Sequence, residues 1–212
     1  MTARRPDKER KLVTVGDGGC GKTCLLTVYS EGRFPSDYVP TVFETSIKVV
    51  PNPFEPSKSI SFTLWDTAGQ EDFDRLRPLS YHDTNVVIIV FAINHRVSLA
   101  NVQDKWFPEI SHFMDNVPIL LIGTKSDLRS DDREIQLMGS QGQHPIEPAE
   151  GEQVAREIGA RRYLECSAKL GRGVEDVFDV ALREALGKGV LKEAWKTAGT
   201  GQTARKRKCV LL

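Results

Sequence analysis

The sequence predicts an α/β domain with a mostly parallel six-stranded sheet and helices on both faces. Two observations predict it. Short, β-branched apolar runs recur along the chain with helix-like stretches between them. A glycine-rich loop also follows the first of these runs directly and opens the first helical stretch, as a parallel sheet with a ligand at its carboxyl edge requires.

In chain order, the strands fall at residues 12–16, 45–50, 59–66, 86–93, 117–123 and 163–167, the last four following the buried-strand pattern best. Helical stretches fall at 22–30, 98–114, 148–158 and 174–186, the third opening on Pro148 with acids close behind. Residues 51–58 carry Pro51, Pro53 and Pro56, which remove backbone donors, so this stretch reads as an exposed hairpin loop. The polar segment 128–147 contains Gly139 and Gly142 and reads as a helical insertion or a long loop. The expected organisation is an N-terminal extension over 1–10, one domain over 11–187 with an insert at about 128–147, and a tail over 188–212.

Composition narrows the function classes. The chain has 212 residues, 40% of them apolar, enough for one packed core. A formal charge of zero gives no reason to expect nucleic acid as a partner. Four cysteines and four histidines show no disulfide or metal-ligand spacing, which suits a reducing compartment. The longest apolar runs are strand-sized, and the start of the chain has no apolar signal core.

Three motifs carry chemistry, each at a strand end. Gly16-Asp17-Gly18-Gly19-Cys20-Gly21-Lys22-Thr23 fits the phosphate-loop pattern: successive amides form an anion nest at a helix start, Lys22 reaches outer phosphates and the Thr23 hydroxyl ligates magnesium. The nucleotide-binding set drawn from it is Gly18, Gly19, Cys20, Gly21, Lys22, Thr23 and Cys24, with the two cysteines as buried thiols. Gly18 also leaves room beside a terminal phosphate. Asp66-Thr67-Ala68-Gly69-Gln70 supplies a carboxylate that holds magnesium through water, a glycine amide for the γ-phosphate and a glutamine to orient the attacking water. In Thr124-Lys125-Ser126-Asp127, Asp127 accepts from guanine N1 and the exocyclic amine, a donor pair adenine lacks, while Lys125 lies along the ring. Ser167, Ala168 and Lys169 complete the base pocket.

At this point the chain resembles the Rho family of Ras-like small GTPases, a phosphate-loop NTPase fold. The resemblance rests on residues 38–44 (YVPTVFE), on DTAGQEDFDRLRPLSY from Asp66 to Tyr81, and on the polar insert after Asp127. It implies Mg2+-dependent binding of GTP and GDP. It also implies that Thr41 is a second metal hydroxyl, that Phe34 packs on the base and that Tyr38 lies over the phosphates. Two mobile segments, 34–43 and 68–78, are implied to meet exchange factors (GEFs), activating proteins (GAPs) and effectors. Hydrolysis should be slow, with Gln70, Lys22 and Gly18 as the catalytic set, because no motif arginine faces the transition state; an activating protein should supply one, gaining about 10³ to 10⁵-fold. Two departures are visible: Gly19 stands where the family usually has alanine, and the 51–58 hairpin is longer than usual.

The chain ends in Arg205, Lys206, Arg207, Lys208 and then Cys209-Val210-Leu211-Leu212, a basic run joined to a prenylation box whose final leucine favours geranylgeranyl. One lipid anchors weakly, and four cations at ~1 kcal/mol each near an anionic leaflet supply the second signal. On the resemblance, the expected location is the cytoplasmic face of a membrane, chiefly the plasma membrane. A dissociation inhibitor (GDI) would hold a cytosolic pool, and signalling would run to actin, polarity or secretion. Two other readings stand beside this one: a GTP-binding adaptor that no longer turns over, against which Gln70 and Gly18 weigh, and a phosphate-loop kinase or ATPase, against which Asp127 and Ala168 weigh.

Overall fold

The computed structural model describes residues 6–36 and 41–187. Its core is a six-stranded sheet in the order β2-β3-β1-β4-β5-β6. The strands are β1 (Lys8–Gly16), β2 (Phe43–Asn52), β3 (Glu55–Thr67), β4 (Val86–Ala92), β5 (Ile119–Thr124) and β6 (Arg162–Glu165). Only β2 runs antiparallel, against β3.

Alternation along the strands divides the core into two layers. Leu12, Val86, Ile88, Val90, Leu120 and Ile122 point to one face, where α1 (Lys22–Glu31) and α6 (Val174–Ala185) cover them. Val13, Val15, Val87, Ile89, Phe91 and Leu121 point to the other. That face is covered by α2 (Arg96–Asn101), α3 (Phe107–Phe113) and α5 (Pro148–Glu157). All seven residues of β4 are buried, so a continuous apolar run is what its position between two layers demands.

Helices α2 and α3 form one interrupted rod, joined by a π turn at Val102–Trp106. Pro108, in the first turn of α3, has no amide to give to the carbonyl four residues earlier, and the wider turn accommodates that loss. The turn brings Trp106, fully buried, inward.

Several sequence expectations are corrected here. Strand β1 begins at Lys8, inside the stretch assigned to an extension, because Lys8 already pairs with Ile60 of β3. Residues 51–58 are mostly strand rather than loop: β2 runs to Asn52, β3 resumes at Glu55, and a register shift follows Pro51. Pro51 is tolerated because β2 is an edge strand, and Pro56 because it precedes the first residue of β3 that pairs with β1. Strand β6, expected to be buried, is a half-buried edge. The insert needs no correction: of the two readings open for it, the helical one holds, in α4 (Asp132–Ser140), whose start is capped by the Asp131 carboxylate accepting from the Arg133 and Glu134 amides at 3.0 and 3.1 Å.

Because β1, β3, β4, β5 and β6 are parallel, the ends of β1, β3, β5 and β6 share one edge of the sheet. The chain leaves β1 toward β3 on one side and later returns to β4 on the other, which makes this the switch point where such sheets open a crevice. Gly16 closes β1 there at φ +144°, and a Cβ on it would stand 2.1 Å from the Val90 carbonyl oxygen. Gly16→Ala is therefore expected to cost about 3 kcal/mol through strain and overpacking. Urea denaturation measures it, and an unshifted midpoint would contradict this packing account.

Candidate functional site

Following Gly16, the phosphate loop folds around its own lysine. Lys22 is only 6% exposed, and its amine donates to the carbonyls of Gly16 at 2.7 Å and Asp17 at 2.8 Å. Two of the three N–H donors of this buried amine are taken by backbone oxygens and the third has only the Cys20 sulfur, 4.0 Å away, so the site suits an anion beside it. The loop borders a cleft of about 710 Å³ lined by Gly18, Lys22, Thr23, Thr41, Gly69 and Gln70, among others.

On the cleft floor the predicted metal residues converge. Thr23 Oγ1 lies 2.5 Å from both Thr41 Oγ1 and Asp66 Oδ2, while Asp66 Oδ1 is buried with no partner. Burial raises the Asp66 carboxyl above its ordinary range, opposed by the Thr23 hydroxyl and the Lys22 charge. Two hydroxyls and a carboxylate are the hard oxygen donors magnesium takes, and the spare Asp66 oxygen leaves capacity for it or its water. The residues present fit the ion.

Gly69 lies backbone to backbone on the phosphate loop: an added Cβ would meet Gly18 N at 2.4 Å and Gly16 O at 2.5 Å. Only glycine permits that approach. A Cβ at Gly18 would meet nothing closer than the Gln70 side chain, at 4.0 Å, so the two predicted catalytic positions do face one another.

The base motifs meet beside the loop. Thr124, at the end of β5, donates its hydroxyl to the Cys20 carbonyl at 2.5 Å, and Lys125 adopts φ +59°, turning its chain along the cleft wall near Gly21. The Ser126 amide donates to the Cys166 carbonyl at 3.1 Å, joining the loop after β5 to the loop after β6. Asp127 keeps one buried oxygen, Oδ1, without a partner. Ser167 is fully buried and bridges to Arg172, its hydroxyl accepting from the Leu170 amide at 3.1 Å, which sets the Ala168 and Lys169 backbone. Phe34 lines the cleft and remains 48% exposed.

The cysteines need a correction. Cys20 and Cys166 are buried, and burial raises both thiols, Cys166 to about 12, but Cys24 is only half-buried. Tyr38, Cys209 and the basic residues Arg205, Lys206, Arg207 and Lys208 lie outside the described residues.

Sequence reasoning missed the braces. The Asp17 carboxylate accepts from Asn101 Nδ2 and Trp106 Nε1, both at 2.7 Å, so the π turn fixes the phosphate loop from behind. Arg129, two residues past Asp127, donates to both oxygens of Glu165 at 2.6 and 2.7 Å and to the Ile146 carbonyl at 2.7 Å. No local pattern marks these residues, because their partners lie 17 to 89 positions away.

Known proteins resemble this chain over nearly its whole length. A model of the Ras family matches residues 11–187. The chain is 52% identical over 203 residues to the GTP-binding protein RHO1 of Candida albicans, covering 96% of each. It is 50% identical to the GTP-binding protein rho1 of Schizosaccharomyces pombe, over 96% of this chain and 97% of the relative. It is 52% identical to RHO1 of Saccharomyces cerevisiae, over 96% and 95%.

If Arg129 holds the base loop in place, Arg129→Ala removes charge-assisted hydrogen bonds worth about 1.5 kcal/mol and speeds release of labelled GDP roughly tenfold. Stopped-flow release measurements check this, and a parental rate would count against the brace.

Proposed function

The chain belongs to the Rho family of Ras-like small GTPases, enzymes that bind GTP and turn it over to GDP and phosphate, and on that premise we propose which of its residues grip, discriminate and hydrolyse the nucleotide. One observation carries the reading. Of five partnerless buried side-chain polar atoms among the described residues, the two carboxylate oxygens are Asp66 Oδ1 and Asp127 Oδ1. A buried acceptor left unmatched costs about 1–3 kcal/mol, more for a charged group, so two of them at one sheet edge suit a ligand that completes both.

Asp127 takes the N1–H and exocyclic amine of guanine, Lys125 flanks the ring, and Ser167, Ala168 and Lys169 close the pocket, with Phe34 on the open side. The amides of residues 18–24 cradle the phosphates and Lys22 donates to the outer ones. Thr23, Thr41 and, through water, Asp66 would hold magnesium, which when bound neutralises phosphate charge. Gln70 orients a water in line with the γ-phosphorus. The water oxygen forms the new P–O bond, the bond to the β-phosphate oxygen breaks, and the displaced charge stays on GDP. Since the motifs place no arginine at that charge, intrinsic turnover is slow and an activating protein completes the site.

Loss of the γ-phosphate releases Thr41 and Gly69 and so changes segments 34–43 and 68–78, which exchange factors, activating proteins and effectors read. An apolar surface supports this. Leu76 and Leu79 are exposed, Leu79 at 77%, and with Phe43 and Trp65 they border a cleft of about 340 Å³ between the two segments. No helix among the described residues is long and apolar enough to cross a membrane. Attachment to the cytoplasmic face of a membrane instead falls to prenylated Cys209 with Arg205, Lys206, Arg207 and Lys208, and a dissociation inhibitor shields the lipid in the cytosol.

The nucleotide assignment is checked by competition against labelled GTP in millimolar magnesium. GDP should displace it at stoichiometric levels and ATP only at roughly 10⁴-fold excess, the discrimination a hydrogen-bonding site achieves. Equal competition by ATP would overturn the assignment of Asp127. Separately, Cys209→Ser should leave GTP binding intact and move the protein from the membrane to the soluble fraction of lysed cells; retention on membranes would argue against the lipid.

A further inference from the structure

Arg77 belongs to none of the nucleotide motifs, yet its side chain is almost completely buried, 1% exposed. A guanidinium has five N–H donors and cannot shed its charge, so burial demands five acceptors. All five are present. Nε donates to the Ala68 carbonyl at 2.9 Å. Nη1 donates to both oxygens of Glu109 at 2.8 and 3.1 Å. Nη2 donates to the Gln70 carbonyl at 3.1 Å and to Asp74 at 2.6 Å.

Two of these acceptors are the carbonyls on either side of Gly69. The guanidinium thus ties the end of the segment that begins at Ala68 back to its beginning, and it does so at the peptide that carries Gln70. Its carbon also stands 4.7 Å from the centre of the Trp106 ring, and the Nε1–H of that ring donates to Asp17 of the phosphate loop. One buried indole therefore touches both the arginine that sets the Gln70 backbone and the loop that faces the Gln70 side chain. Glu109 is fixed in turn by the Tyr81 hydroxyl, which donates to it.

We propose that Arg77 is a positioning residue for GTP hydrolysis: it holds the Gln70 main chain at a set place relative to the phosphate loop, so that the Gln70 amide meets the attacking water without a search. It is not itself the arginine of the transition state, since no donor is left over for a phosphate. The proposal rests on the reading of Gln70 as the residue that orients water. It adds that the geometry of that glutamine is imposed from within the chain, through Arg77 and Trp106, before any activating protein arrives.

The test uses the full-length protein and single-turnover hydrolysis at saturating activating protein. Arg77→Lys keeps the charge but has three donors and no planar fork, so it cannot hold both carbonyls and both carboxylates. It should lower the rate about tenfold, the scale of a small misplacement of a reacting group. Neither the rate of GDP release nor the activator concentration at half-saturation should change. In a Gln70→Leu background the same substitution should produce no further loss, because Arg77 acts only through the residue already removed.

An unchanged rate in Arg77→Lys overturns the proposal. So does an equal fold-loss with and without Gln70, or a hydrolysis defect matched by an equal defect in GDP release, which would mark a merely structural role. Failure of the underlying reading is separately visible: Gln70→Leu alone would then hydrolyse at the parental rate. Should Arg77→Lys not fold, Glu109→Gln serves in its place, since it leaves the guanidinium but slackens its anchor. Its loss should be roughly threefold, again absent in the Gln70→Leu background; an unchanged rate there overturns the proposal equally.

Discussion

Charged groups held out of water at the end of a parallel sheet are the constraint to which the rest of the molecule answers. Lys22 and Asp66 are 6% and 3% exposed. An ion in such surroundings is unfavourable unless its donors and acceptors are matched, and mutual attraction alone seldom compensates. Lys22 has carbonyls and Asp66 has a threonine hydroxyl, but neither arrangement neutralises its charge, and Asp66 retains a free oxygen. On the proposed reading, a triphosphate with its cation would supply what each lacks. The fold leaves these polar groups under-satisfied, and the two-layered core is what holds them there. The fully buried β4 and the two helical layers supply the apolar burial that offsets that electrostatic expense.

How much of this was legible in the sequence depends on whether cause and effect lie close together along the chain. The phosphate loop was, because strand, glycines, lysine and helix are contiguous and each local preference agrees with the fold. The motifs ending at Gln70, Asp127 and Lys169 were, since each chemical group follows directly on an apolar run. The hairpin at 51–58 was misread because a proline's missing donor matters only where a partner strand exists. Pro51 sits on an edge strand, and Pro56 lies where β3 has outrun β1. Strand β6 read as buried because its composition reports apolar preference and not its place at the sheet margin.

The braces were illegible for a different reason. Asn101 and Trp106 are ordinary helix residues until a π turn rotates them onto Asp17, and that turn depends on Pro108 and on packing against β4. Arg77 reads as one charge in a polar stretch; only the folded chain shows that five acceptors surround it. Arg129 lies in no motif, and its charge is held by Glu165, 36 positions away. Long-range polar networks leave no period and no spacing, so a single sequence carries their members without their pairing.

These networks divide the site into a part that keeps its shape and a part that responds. The phosphate loop is fixed from both layers, with Cys20 packed into one core and Asp17 held from the other by Trp106 and Asn101. A ligand with equal affinity for two conformations shifts neither, so a loop braced in this way suits a cradle common to GDP and GTP on the proposed reading. On that reading, a difference between the nucleotides would be felt where the γ-phosphate is contacted, at Thr41 and at the peptide of Gly69. Thr41 is joined to the cleft floor through its hydroxyl, set against Thr23 and Asp66. Gly69 is held by sterics against the phosphate loop and by the two carbonyls bonded to Arg77. Such attachments amount to a few kcal/mol, comparable to one charge-assisted bond to phosphate. On the proposed reading, that near balance would let a single phosphate shift both segments while the braced cradle keeps its shape.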